Sequence, residues 1–312
     1  MAARLLNGNA IRDQILSELR AEVAGMTAAG CRPGLAAVLA GQNPASEVYV
    51  RNKIKACESV GIYSEKITPP ETVSTQQMLD LVSQLNARDE IDGILVQLPL
   101  PAQVDSKRVL LAVDPAKDVD GFHPFNIGLL VTQRPGLVAC TPAGIMEILK
   151  RSHIPVSGRR AVVLGRSDIV GKPVAFLLLH ENATVTICHS RTENLAAIAR
   201  EADILIAAIG RPAMVTRDFI RPGATVIDVG TNRLDNAADV ERIFAGMPSK
   251  IEQFREKGSL LVGDVHPVDV VETAGAYTPV PGGVGPLTIS MLMANTVKAA
   301  RLRRGGCGVL RP

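Results

Sequence analysis

Tyr49 and Lys53 stand four residues apart in the run Gly41-Gln-Asn-Pro-Ala-Ser-Glu-Val-Tyr49-Val-Arg-Asn-Lys53. On a helix that spacing puts a phenol and an amine on one face. A lone helical lysine is ordinarily a solvated charge. This one follows closely on the aliphatic run Leu35–Ala40, and ligand sites of α/β proteins form just past strand ends. Gln97 is a polar side chain at the carboxyl end of another aliphatic run, Ile94–Leu98. Its amide either satisfies a backbone group or meets Lys53. Asp118 and Asp120 form an Asp-x-Asp pair in Lys117-Asp-Val-Asp-Gly-Phe-His123. Such a pair can bind a metal, yet no complementary His or acidic cluster lies nearby in sequence. A turn cap or a ligand hydrogen bond is therefore the expected role. The histidines at 123, 153, 180, 189 and 266 show no HxxxH spacing, so no catalytic metal is expected.

A second constellation lies in Arg160-Ala-Val-Val-Leu-Gly165-Arg166-Ser167-Asp-Ile-Val-Gly171-Lys-Pro. It has the form of a strand, a tight glycine turn and a helix start. Free N–H groups at a helix N-terminus attract phosphate, and glycine lets the backbone come close to it. The pattern departs from GxGxxG, because Ser167 takes the middle glycine and the last glycine comes four residues later. The next strand ends at His189-Ser190-Arg191, about 25 residues on, where an NAD site ordinarily places a carboxylate for the ribose hydroxyls. Here a hydroxyl and a guanidinium stand instead, with Arg166 near. Such donors can hydrogen-bond the extra phosphate of NADP; the bland alternative is a solvated loop. Later strand ends, Ala208-Ile-Gly-Arg-Pro and Asp228-Val-Gly-Thr231, fall where loops would line the nicotinamide half.

The elements that must position these residues follow a rhythm of short apolar runs and helical stretches. Strands are expected at Leu35–Ala40, Ile94–Leu98, Ala161–Leu164, Thr184–Cys188, Ile204–Ala208 and Thr225–Val229, each nearly continuous in aliphatic residues. Strands covered on both faces of a parallel sheet read this way. Helices are expected at Ile11–Met26, Ser46–Val60, Thr75–Arg88 and Lys172–His180. Asn43 is placed to cap the second of these, with Pro44 at its first position and Val50, Ile54 and Cys57 as its buried stripe. The alternation makes βαβ units and an α/β fold. It pauses in the Pro-, Asp- and Gly-rich stretch 100–134 and restarts at Cys140–Lys150, which divides the chain near residue 140. An apolar helix at Leu287–Arg301 is expected to return to the first half. The stretch Asp239–Lys257 reads as an extra surface helix, and Arg301–Pro312 as a solvated, frayed end.

The 312 residues are 46% hydrophobic and 3% aromatic, without tryptophan, so Ala, Val, Leu and Ile must build the core, and disorder is excluded. A net charge of +3 is too even for a dedicated nucleic-acid binder. No apolar run approaches the ~18 residues of a membrane span, and the first residues contain no signal-peptide core. Cys31, Cys57, Cys140, Cys188 and Cys307 lie far apart. They read as reduced thiols of a cytoplasmic protein.

Taken together, the motifs resemble one family, the bifunctional methylenetetrahydrofolate dehydrogenase/cyclohydrolases. The matching pieces are GQNPASEVYVRNKIKAC (41–57), DGILVQLPLP (92–101), PAKDVDGFHP (115–124), CTPAG (140–144), GRSDIVGKP (165–173), ATVTICHSRT (183–192), ADILIAAIGRP (202–212), VIDVGTNR (226–233) and TPVPGGVGPLT (278–288). They run in family order over nearly the whole chain. The resemblance implies two α/β domains flanking a cleft. The first is a folate-binding catalytic domain (1–140, completed by a returning helix at 287–312), the second a Rossmann-like NADP-binding domain (141–286). It also implies a homodimer joined through the cofactor domains. It puts the family's catalytic lysine on Lys53, with Tyr49 beside it, the assisting glutamine on Gln97 and the pterin-contacting aspartate on Asp120. Val96, Leu98, Pro281, Gly282, Gly283, Pro286 and Thr288 become substrate contacts. Gly165, Arg166, Ser167, Ser190, Arg191 and Thr231 become cofactor contacts.

The implied chemistry is oxidation of methylenetetrahydrofolate by NADP+, then hydrolysis of the methenyl product to formyltetrahydrofolate. A lysine can act as base there only in its uncharged form. Two rival readings are a dehydrogenase without hydrolase activity and a silent NADP-binding regulatory protein; both leave part of the lysine-centred motif set without a reason. Departures from the family pattern are small: Leu287 where Met is common, Thr231 where Ile is common, and His266-Pro267 after Gly263-Asp-Val.

Overall fold

The computed structural model describes residues 3–305; the rest of the expected frayed end lies outside the described residues. In chain order, strand β1 (Arg4–Leu5) and helix α1 (Gly8–Ala28) are followed by β2 (Gly34–Val38), α2 (Pro44–Val60), β3 (Tyr63–Ile67), α3 (Thr75–Ala87) and β4 (Gly93–Val96). Three helices come next, α4 (Ser106–Ala112), α5 (Pro124–Val131) and α6 (Cys140–Arg151). A second alternation runs through β5 (Arg160–Leu164), α7 (Gly171–His180), β6 (Thr184–Cys188), α8 (Leu195–Ala199), β7 (Ile204–Ala207) and β8 (Thr225–Asp228). The chain closes with β9 (Asn232–Leu234), α9 (Ala237–Ile243), α10 (Pro248–Lys257), β10 (Leu260–Val262), α11 (Pro267–Thr273), β11 (Ala276–Tyr277) and α12 (Val284–Arg304).

Two compact units emerge. One gathers Arg12–Cys140 with the chain from Ile289 onward. Its sheet is three parallel strands in the order β3-β2-β4. All residues of β2 and β4 are buried, each large aliphatic side chain contributing roughly 1.5–3 kcal/mol of transfer free energy. β3, Tyr-Ser-Glu-Lys-Ile, is a largely polar edge strand that the aliphatic criterion overlooks. The expected pause at 100–134 contains α4 and α5, short helices capped by Asp105 and His123. Of the expected frayed end, Arg303 and Arg304 are instead helical and ion-paired to the fully buried Asp92, at 2.7 and 2.6 Å. A buried carboxylate requires such partners.

The other unit gathers the first described residues, to Ile11, with Thr141–Thr288. Its sheet has the order β1-β11-β8-β7-β5-β6, parallel throughout. Residues to Ile11 therefore leave the unit that the sequence assigned them to, because β1 pairs with β11. Two residues of strand are too short to announce themselves by periodicity. The stretch expected as one surface helix is two, α9 and α10, over the antiparallel pair β9–β10. Leu234, Val240, Ile243, Phe244, Leu260 and Val262 form a small core of their own there.

Cys57, Cys140 and Cys188 are free and buried. Cys31 is disulfide-bonded, which corrects the expectation of reduced thiols at that position; separation along the chain does not report distance in the fold. Among the described residues, no helix is long and apolar enough to cross a membrane.

Candidate active site

The lysine-centred group begins with the start of α2. Asn43, extended at φ −77°, accepts a hydrogen bond from the Ser46 N–H at 3.1 Å, and Pro44 takes the first turn. Gly61 ends the helix in the left-handed region at φ 88°. Val50 and Cys57 are completely buried and fix the rotation of the helix, with Ile54 half-buried beside them. That rotation leaves Tyr49 55% exposed and Lys53 half-buried one turn later, so the pair borders solvent where a ligand can reach it.

Lys53 Nζ donates to Gln97 Oε1 at 3.1 Å. Gln97 is held where β4 ends: its backbone N–H donates to Val38 O at 2.9 Å, and its Nε2 donates to Leu98 O at 2.8 Å. With the amide nitrogen spent on the backbone, the amide oxygen is left to face the amine. Val96 is buried and Leu98 is exposed, so only the latter offers side-chain surface at this strand end.

The Lys117–Gly121 loop joins the edge of the sheet through an Ile94–Asp118 bridge. Its residues divide by role. Lys117 is 1% exposed and donates to the carbonyls of Leu85, Asn86 and Arg88 at 3.1, 2.8 and 2.6 Å, closing the C-terminal end of α3. Asp118 accepts from His123 N at 2.8 Å and Asn126 Nδ2 at 2.9 Å, which is a turn-capping role. Gly121 sits at φ 74°, where a Cβ would come within 2.4 Å of the Val138–Ala139 backbone. Asp120 remains for other work. Burial pushes its carboxyl up to about 6, opposed by the charge of Lys53 and reinforced by that of Asp118. The structure thus brings Lys53, Gln97 and Asp120 into one electrostatic neighbourhood. Among the described residues, no group of three His, Cys, Asp or Glu side chains could hold a metal.

The glycine turn lies in the other unit. Gly165 ends β5 at φ 123°, and a Cβ there would fall 2.1 Å from Ala208 O. Glycine is required by that close approach. Ser167 Oγ accepts from Val170 N and Gly171 N at 3.2 and 3.3 Å, organising the start of α7. The turn leaves β5 beside the end of β6, since Leu164 pairs with Cys188 and Gly165 N donates to Cys188 O at 2.9 Å. Arg166, Ser190 and Arg191 are exposed there. Neither guanidinium has an ion pair or side-chain hydrogen bond among the described residues. Two free guanidiniums and a hydroxyl, with no carboxylate at the end of β6, fit an anionic phosphate.

Thr231 lines a cavity of about 330 Å³ together with Asn9, Asp228, Pro281, Gly282, Gly283 and Pro286. Thr288 pairs its hydroxyl with that of Thr141 at 3.0 Å. Two buried carboxyl groups stand beside this cavity, Asp228 and Asp264; the sequence places Asp228 at a strand end toward the nicotinamide half but gives Asp264 no role. Asp228 Oδ1 accepts from Gly230 N and Asp264 N, and its Oδ2 from Val265 N, each at 2.9 Å. Burial pushes the Asp228 carboxyl up to about 7 against these hydrogen bonds. The available signal was an acidic residue at the end of an aliphatic run, directly in Val226-Ile-Asp228 and after one glycine in Leu261-Val-Gly-Asp264.

Known proteins resemble the chain over its length. The family description "Tetrahydrofolate dehydrogenase/cyclohydrolase, catalytic domain" matches residues 6–120, and the corresponding NAD(P)-binding domain matches residues 139–304. The bifunctional protein FolD of Solibacter usitatus is 66% identical over 304 residues, covering 97% of this chain and 99% of that one. The crystal structure of the bifunctional FolD enzyme of Campylobacter jejuni superposes with a TM-score of 0.87 at 40% identity, over 97% of this chain and 100% of that one. The FolD of Trypanosoma brucei, solved with NADP cofactor and an inhibitor, gives a TM-score of 0.86 at 38% identity over 98% and 100%.

Proposed function

The chain belongs to the tetrahydrofolate dehydrogenase/cyclohydrolase family, and from that premise we infer how its residues divide the work of a bifunctional folate enzyme. It oxidises 5,10-methylenetetrahydrofolate to the 5,10-methenyl form with NADP+, then hydrolyses that product to 10-formyltetrahydrofolate. Bound NADP+ supplies the hydride acceptor. The methenyl cation is stabilised by its own nitrogen lone pairs, so the protein's share of the first step is alignment.

The cofactor residues are assigned by donor chemistry. Arg166, Ser190 and Arg191 hold the ribose phosphate. Gly165 and Ser167 shape the turn that receives the pyrophosphate, and Thr231 contacts the nicotinamide side. On the folate side, Asp120 in its ionised form accepts from the amino-pyrimidine donors of the pterin. Tyr49 and Leu98 give it apolar surface, Val96 contributes backbone, and the Pro281, Gly282, Gly283, Pro286 and Thr288 segment contacts the substrate. Lys53 acts as the base at Nζ: it takes one proton from the attacking water as the C–O bond forms and returns it to the ring nitrogen as the C–N bond breaks, while the second proton of that water leaves to solvent as the C=O forms. Gln97 orients the amine without adding a charge.

The observation that carries this reading is the Lys53 Nζ to Gln97 Oε1 hydrogen bond, which holds the amine at the end of β4. The test is absorbance at 340 nm with methylenetetrahydrofolate and NADP+, followed by decay of the methenyl product. NADPH formation with no enzyme-dependent decay would leave a dehydrogenase alone; no NADPH would overturn the reading. A homodimer joined through the cofactor-binding unit completes the proposal, supported by the open edge of β6, where Ile187 is 40% exposed.

A further inference from the structure

Asp264 is fully buried, and none of the steps above assigns it a role. Its Oδ2 accepts from Ile209 N at 2.6 Å and Gly210 N at 2.9 Å; its Oδ1 accepts from Arg211 N and Asn232 Nδ2, both at 2.9 Å. Three successive amides of the loop after β7 thus converge on one side chain. Asp264 is anchored in turn, its N–H donating to Asp228 Oδ1 and its carbonyl accepting from Val215 N at 2.8 Å. The loop it holds begins at Ala208, whose carbonyl is the group that stands against Gly165. Asp228, the anchor, and Gly230, whose N–H donates to it, line the cavity that also contains Thr231.

We propose that Asp264 is the positioning residue of the cofactor site, fixing the loop Ile209–Arg211 against the glycine turn so that the dinucleotide meets a preformed floor. The proposal rests on the reading of that unit as the NADP site. Backbone amides left without an acceptor would turn elsewhere or to water, and the loop would spread over several conformations. The cofactor would then have to order the loop as it binds, which weakens binding. Asn in place of Asp264 keeps the shape but turns an NH2 toward a donor. The other unit, with Lys53, is not part of this network.

The test compares Asp264→Asn with the parent in two assays. One is NADP+-dependent oxidation of methylenetetrahydrofolate; the other is hydrolysis of methenyltetrahydrofolate supplied without NADP+. The expected result is a KM for NADP+ raised tenfold or more with hydrolysis within twofold of the parent, and faster amide exchange at residues 209–211. A purely structural role would lower both activities together and leave the KM where it was; that outcome overturns the proposal. Where Asp264→Asn does not unfold cooperatively, Asn232→Ala decides. It removes one donor from Oδ1 and should raise the KM for NADP+ about threefold, and a parental KM refutes the assignment. A parent enzyme that makes no NADPH overturns the reading of the unit itself, and this inference with it.

Discussion

Gln97 gives its amide nitrogen to the backbone and its oxygen to Lys53, so a single side chain sets where the amine points. Replacing Lys53 with Met keeps the length and removes the base. Methenyl hydrolysis should fall at least ~100-fold, the usual span of general base catalysis, while NADPH formation survives in part. Hydrolysis at the parental rate would remove Lys53 from its role. Asp120 makes a separate demand. Its carboxyl lies near 6, above its ordinary range, so it is protonated below that pH and accepts fewer hydrogen bonds. The KM for methylenetetrahydrofolate should therefore rise as pH falls through about 6, and Asp120→Asn should lack that inflection; titration of KM between pH 5 and 8 checks this. At the other site, Arg166→Gln removes one free guanidinium. It should lower kcat/KM for NADP+ about tenfold or more, the worth of a charge-assisted hydrogen bond. The value for NAD+, which lacks that phosphate, should change little.

At the scale of elements, α2 and β4 are instructive because their sequences state nearly everything about them. The cap at Asn43, the proline at 44 and the buried stripe are local signals, and the structure has the cap and the helix start where those signals put them. The loop from 117 to 121 is different: its lysine and two aspartates look alike on paper but separate by burial and partner. Lys117 closes α3 with three carbonyls, a task that depends on residues about thirty positions earlier. Lys117→Met should destabilise the protein by about 2–4 kcal/mol, because buried acceptors lose a charged donor. Urea unfolding measures it, and a midpoint unchanged from the parent would show that the three carbonyls find other donors. β3 escaped notice for a physical reason. As an edge strand it carries Ser, Glu and Lys in succession, so no aliphatic run marks it.

For the whole molecule, the proposed homodimer predicts a mass by light scattering of about twice 33.1 kDa, and a single-chain mass would refute it. The sequence by itself determined the α/β class, six of the longer strands and the principal helices, and it singled out the residues proposed for each site. These follow from local properties: periodicity, capping, and glycine where a close approach forbids a side chain. Only the tertiary structure decided that Arg4–Leu5 joins the sheet of the cofactor-binding unit, that Arg303 and Arg304 neutralise Asp92, and that Asp264 gathers the amides of a loop more than fifty residues away. Such pairings join positions far apart in the chain. What selects them is the cost of burying an unsatisfied charge or amide, which exists only once the chain has closed around it.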